Sequence, residues 1–123
     1  MRAWFVSRGT KLDTLRATHV LAAYRDRQIQ KLLPYCDEVT LPAGTVIARE
    51  GDSCLQFVVV MRGRLVATEA RAASRTLAAG DSFGWDAMWE RRPNSATVIV
   101  DAEARLLVMG HAQFRALKAV ANS

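Results

Sequence analysis

Two kinds of hydrophobic spacing divide this chain. In its first third, apolar residues recur at three- and four-residue intervals: Leu12, Leu15, Val20 and Leu21, then Ile29, Leu32 and Leu33. That spacing predicts short amphipathic helices. Thr10 followed by Asp13 reads as an N-cap with an acid in the first turn. A second helix begins near Asp26, and Pro34 ends or kinks it. From Glu38 the apolar runs shorten and glycines punctuate them, which predicts strands. Val39-Thr40-Leu41 is the first, turned by Pro42-Ala43-Gly44. Thr45 to Arg49 is the second, closed by Glu50-Gly51-Asp52. Phe57 to Met61 is continuously apolar, as for a strand buried on both faces. Arg62-Gly63 reads as a turn, with Leu65 to Thr68 pairing back. The polar, alanine-rich stretch from Glu69 to Arg75 reads as an exposed hairpin tip. Short strands at Arg75 to Leu77 and Ser82-Phe83 flank a turn at Gly80-Asp81. Ala96 to Val100 and Leu106 to Met109 read as two last strands. Gly110 ends the sheet, and His111 to Val120 returns to helical spacing with Phe114, Leu117 and Val120 inward.

Many short strands with glycine turns predict a mainly β sandwich or jelly roll, flanked by N- and C-terminal helices. A chain of 123 residues suits one domain. The expected division is a basic helical segment over 1–35, a β-roll over 36–110 and a short C-terminal helix over 111–123. No internal repeat or low-complexity segment interrupts it.

Charge sharpens this division. Up to Lys31 the seven cations Arg2, Arg8, Lys11, Arg16, Arg25, Arg27 and Lys31 face only Asp13 and Asp26, which accounts for the whole net charge of +5. The β-rich remainder is neutral. The cations are scattered, which favours a solvated helix face over a nucleic-acid or membrane patch. No helix-turn-helix follows the sheet, so no DNA-binding domain is expected. No apolar run is long enough to span a bilayer, and Met1 to Thr10 lacks the apolar core of a secretory signal. Cytoplasmic residence is expected, with Cys36 and Cys54 as buried free thiols. The two histidines, His19 and His111, stand at opposite ends, and the cysteines lack metal-ligand spacing. No metal or other cofactor is expected. Nucleophile elbow and Walker loop are absent, and the acids Glu50, Asp52, Asp81 and Asp86 fall at turns. No catalytic residue is expected.

The chemistry concentrates between Gly80 and Val100. A glycine turn enters Phe83-Gly84, a short helix covers Trp85 to Trp89, a polar loop carries Arg91 and Arg92, and a β run leaves through Ala96. Backbone N–H groups left unpaired at such a helix start suit an anion. This stretch resembles the phosphate-binding cassette of cyclic-nucleotide-binding domains. The family pattern is Phe-Gly-Glu, one residue, Ala-Leu, a gap, then Pro-Arg-Ala/Ser-Ala-Thr-Val. Phe83, Gly84, Ala87, Met88, Pro93, Ser95, Ala96, Thr97 and Val98 follow it. The turn motifs Leu41 to Ile47, Glu50-Gly51-Asp52, Gly63 and Gly80 to Gly84 fall in the family's order. The resemblance covers about Leu21 to Leu117. It implies a double-stranded β-helix with its cassette at 82–97, and a ligand site at Phe83, Gly84, Trp85, Asp86, Ala87, Met88, Arg91, Arg92, Asn94, Ser95, Ala96 and Thr97.

Two positions depart from the pattern. Trp85 stands where the family has the Glu that accepts from the ribose hydroxyl. Asn94 stands where it has the Arg that pairs with the cyclic phosphate. At 1.5–3 kcal/mol for each charge-assisted bond, the loss is about 3–6 kcal/mol, or about 10²–10⁴ in affinity. The expected module is therefore non-enzymatic and regulatory or interaction-directed, with cAMP and cGMP binding weakened or lost. Two alternatives stay open. One is a genuine cyclic nucleotide receptor using Arg91 or Arg92 for the phosphate, with Ser95 and Thr97 as further donors. The other is a protein- or anion-binding module acting through the basic N-terminal helix. Trp85 either fills the vacated ribose space or stacks on a planar ligand or partner. Met88 reads as core. The family's long helix after the roll has no counterpart before Ser123, so neither lid nor output domain is expected.

Overall fold

The computed structural model describes residues 11–121. The expected cap at Thr10 lies outside them. Residues 11–17 are helical (α1), and α2 covers Asp26–Leu32. Gln28 accepts from the N–H of Arg25 at 2.8 Å, which fixes the start of α2. Helix α2 ends at Leu32, and Pro34 sits in the 3₁₀ turn Leu33–Tyr35 that follows it, as expected. Arg16 donates to both carboxylate oxygens of Asp26 at 2.6 Å, tying α1 to α2. Lys11 donates to the Cys36 carbonyl at 3.2 Å. Two of the N-terminal cations thus serve the fold itself.

The sheet is antiparallel, with strands β1 Asp37–Leu41, β2 Val46–Ala48, β3 Phe57–Thr68, β4 Arg75–Leu77, β5 Ser82–Phe83 and β6 Thr97–Met109. Helix α3, Trp85–Glu90, interrupts it, and α4, His111–Ala121, follows it. The long strands β3 and β6 pair along their whole lengths, from Phe57 opposite Met109 to Thr68 opposite Thr97. Strands β1 and β2 add to β6, and β4 and β5 add to β3. This corrects two readings. Arg62-Gly63 is not a hairpin turn, and the last strands are one strand. Gly63 has φ +91°, but it marks a bulge within β3, where the register against β6 shifts.

Alternation along β3 builds two cores. Phe57 and Val59 face the helices, packing with Leu15, Leu21, Ile29, Leu32, Met88, Phe114 and Leu117. Val58 and Val60 face the roll interior with Leu77, Phe83, Val98, Val100 and Leu106. A strand buried on both faces is the apolar run that the sequence shows. Past the bulge the inward residues switch from even to odd numbers, so that Leu65 and Ala67 remain inside. Cys36 and Cys54 are buried free thiols; burial pushes the Cys36 thiol up to about 12 and also raises that of Cys54. Among the described residues no helix is long and apolar enough to cross a membrane.

Candidate functional site

The cassette helix α3 is capped at Gly84, which has φ +98° and accepts from the N–H of Met88 at 2.9 Å. A Cβ there would lie 2.7 Å from the Gln56 carbonyl oxygen, so only glycine lets α3 sit this close to the start of β3. Met88 is buried beneath the helix as core. At its other end Arg91 takes a left-handed conformation, φ 57°, and its N–H bonds back to Ala87. The Arg92 N–H reaches the same carbonyl at 2.8 Å, closing the helix as a glycine usually does.

The return loop is laced to the turn between β2 and β3. Asn94 donates from its backbone to the Asp52 carbonyl at 2.8 Å, and its own carbonyl accepts from Gly51 at 3.0 Å. The N–H of Glu50 reaches the Thr97 hydroxyl at 3.0 Å. The Asn94 side chain is 6% exposed, and its amide nitrogen donates to the carbonyls of Arg49 at 3.0 Å and Ser53 at 3.4 Å. The amide that stands in the phosphate-cation position is therefore engaged within the protein. It fastens the 49–53 turn.

Trp85 is likewise turned toward the protein. Its indole stacks on Trp89 at 5.4 Å and 21°, and meets Phe57, Phe114 and Tyr24 edge-on at 5.3, 5.4 and 6.5 Å. It packs with the helix-side core, not the roll interior. The half-buried ring thus contacts aromatic side chains on β3, α3 and α4 and also borders the cleft over the cassette.

A cleft of about 520 Å³ nonetheless remains above the cassette, bordered by Ser82 to Ala87 and Arg92 to Ser95. Phe83 and Ala96 are buried in the roll beneath it, whereas Asp86 and Ser95 are exposed. Of the two candidate cations only Arg92 borders this cleft, and it pairs with Glu90 beside it. Arg91 borders a different cleft, between α3 and α4. Arg75 also borders the cassette cleft, a position that sequence reading left as an ordinary strand residue. The available signal was its spacing: two residues before the buried Leu77, it lies on the roll-facing side of β4. Among the described residues no group of His, Cys, Asp and Glu is arranged to hold a metal ion.

A family model described as cyclic nucleotide-binding domain matches residues 38–119, about two thirds of the chain. No curated protein matches it. Solved structures do. A chain described as "Sp-2Cl-cAMPS bound to PKAR CBD2" superposes with a TM-score of 0.78 at 22% identity, over 89% of this chain and 75% of that one. The regulatory domain of Toxoplasma gondii PKA with cAMP gives 0.80 at 22% identity, over 94% of this chain and 47% of that one. This chain thus spans about half the length of the Toxoplasma chain. A cyclic nucleotide-binding-like protein from Brucella abortus gives 0.73 at 18% identity, over 89% and 97%. The mainly antiparallel β-roll with flanking helices is the fold of these neighbours.

Proposed function

This chain belongs to the cyclic nucleotide-binding domain family, and we propose that it is a non-catalytic regulatory or interaction module of that family in which cAMP and cGMP binding is weakened. The Asn94 amide carries this reading, because both of its described hydrogen bonds go to the carbonyls of Arg49 and Ser53. A cyclic phosphate entering the cleft meets a neutral side chain already hydrogen-bonded elsewhere, where a guanidinium fork supplies two charge-assisted bonds. The ribose meets an indole locked in an aromatic cluster, where a carboxylate supplies an acceptor. The whole chain is read as one domain, acting through binding in the cytoplasm.

One observation favours the receptor alternative. Arg75 and Arg92 both border the cleft, and Arg75 has no ion pair among the described residues. Arg92 is the adjacent cation better placed for this role, since Arg91 opens onto the other cleft. Calorimetric titration with cAMP and with cGMP separates the two readings. The weakened site gives no saturable heat below millimolar nucleotide. Saturable binding at micromolar nucleotide, lost in Arg75→Ala or Arg92→Ala, overturns it in favour of the receptor.

A further inference from the structure

The second cleft, about 450 Å³ between α3 and α4, is lined by Arg91, Arg92, Arg115 and Lys118, with His111 at the start of α4. No carboxylate lines it. Four permanent cations share one concave surface, although β3 to β6 and the loops between them are close to neutral. Their sources are independent: Arg91 and Arg92 follow the cassette helix, whereas Arg115 and Lys118 lie one turn apart on α4. Only Arg92 has a carboxylate partner among the described residues, Glu90. Lys118 is held in position by donating to the Trp89 carbonyl at 3.2 Å, with its ammonium 4.9 Å from the centre of the Trp89 ring. Arg91 is the one non-glycine described residue with positive φ, and that conformation follows from closing α3 at this loop.

We propose that this cleft binds a diphosphate group, inorganic or carried by a nucleotide, and so joins the cassette helix to α4. Like charges lining one cleft repel one another, and an anion of two or more charges offsets that repulsion while accepting from the guanidinium forks. Arginine suits phosphoryl oxygens because its planar fork donates two parallel bonds. Arg92 borders this cleft and the cassette cleft, whereas Arg91, Arg115 and Lys118 border this one alone, so the test rests on Arg91 and Arg115.

The test is calorimetric titration of inorganic pyrophosphate into the full chain, at an ionic strength fixed with chloride. Saturable one-to-one binding is expected. Arg115→Gln and Arg91→Gly should each lower its affinity by about tenfold or more, the loss of one charge-assisted bond. Glycine at position 91 suits the left-handed backbone, so that variant keeps or raises the melting temperature while losing the guanidinium. Arg27→Gln, the same charge change at an exposed site on α2, should leave binding unchanged. ADP in place of pyrophosphate identifies the source: equal affinity assigns the diphosphate alone, and tighter binding assigns the nucleotide. Absence of saturable heat overturns the proposal. So does an equal loss in Arg27→Gln, which would mean attraction to overall charge.

Discussion

Replacing Trp85 by Glu and Asn94 by Arg in one chain is expected to raise cAMP affinity by about 10²–10⁴, restoring an acceptor and a cation together. The gain has a structural cost. Trp85 leaves its contacts with Phe57, Trp89, Phe114 and Tyr24; it is half-buried, so the cost falls below the about 3–5 kcal/mol of a fully buried Trp. Asn94→Arg also removes the amide that holds the Arg49 and Ser53 carbonyls. The double variant should therefore unfold at lower urea concentration than the parent while binding more nucleotide. Opposite signs in the two measurements distinguish a repaired site from a general improvement of the fold. A folded double variant with no gain in affinity contradicts the assignment of the cleft beside residues 82–95 as the nucleotide site.

A large loss of stability is expected from the single change Gly63→Ala. A Cβ on Gly63 would lie 2.2 Å from the Glu103 carbonyl oxygen and 2.6 Å from the Ala104 Cα, both backbone atoms of the partner strand. Neither can rotate away as a side chain does. The φ of +91° adds strain of about 1–2 kcal/mol for a residue with a Cβ. Overpacking of a close contact adds about 1–3 kcal/mol more. Together these cost about 2–5 kcal/mol, which at its upper end reaches the lower end of a small domain's whole stability, about 5–15 kcal/mol. Urea denaturation followed by circular dichroism should show a strongly lowered midpoint or no folded baseline. A midpoint within about 0.5 kcal/mol of the parent, the range of ordinary surface changes, would mean that the β3 and β6 backbones do not approach this closely at the bulge.

Gly63 also marks what local sequence conceals. A glycine with positive φ serves a turn and a bulge alike, and Arg62-Gly63 has the composition of either. The distinction lies in β6, some forty residues away, whose backbone continues to pair across the irregularity. The same partner makes one strand of Thr97–Met109, which reads locally as two apolar runs separated by Asp101, Ala102 and Glu103. Elements that draw their stability from their own spacing were readable. Ile29, Leu32 and Leu33 face inward, as do Phe114 and Leu117, and Phe57 to Val60 is buried on both sides. The glycine-punctuated cassette gave its helix and its Met88 core contact correctly.

At the site, the substitutions themselves were legible, but not where their side chains go. The destination of the Asn94 amide depends on carbonyls 45 and 41 residues distant. That of Trp85 depends on Phe57 and Phe114, brought together by the sheet and α4. Arg91 and Arg92 look equivalent as neighbours in sequence. The left-handed backbone at Arg91 places one between α3 and α4, and leaves the other bordering both clefts.

The amide at the phosphate-cation position belongs to the protein's own framework. The side-chain NH₂ resonances of Asn94, followed by ¹⁵N-correlated NMR during hydrogen exchange and during titration with millimolar cAMP, test it most directly. Slow exchange and unmoved resonances are expected, because both donors are engaged with the carbonyls of Arg49 and Ser53. Rapid exchange in the free protein, or a saturating shift of these resonances on adding cAMP, would contradict it.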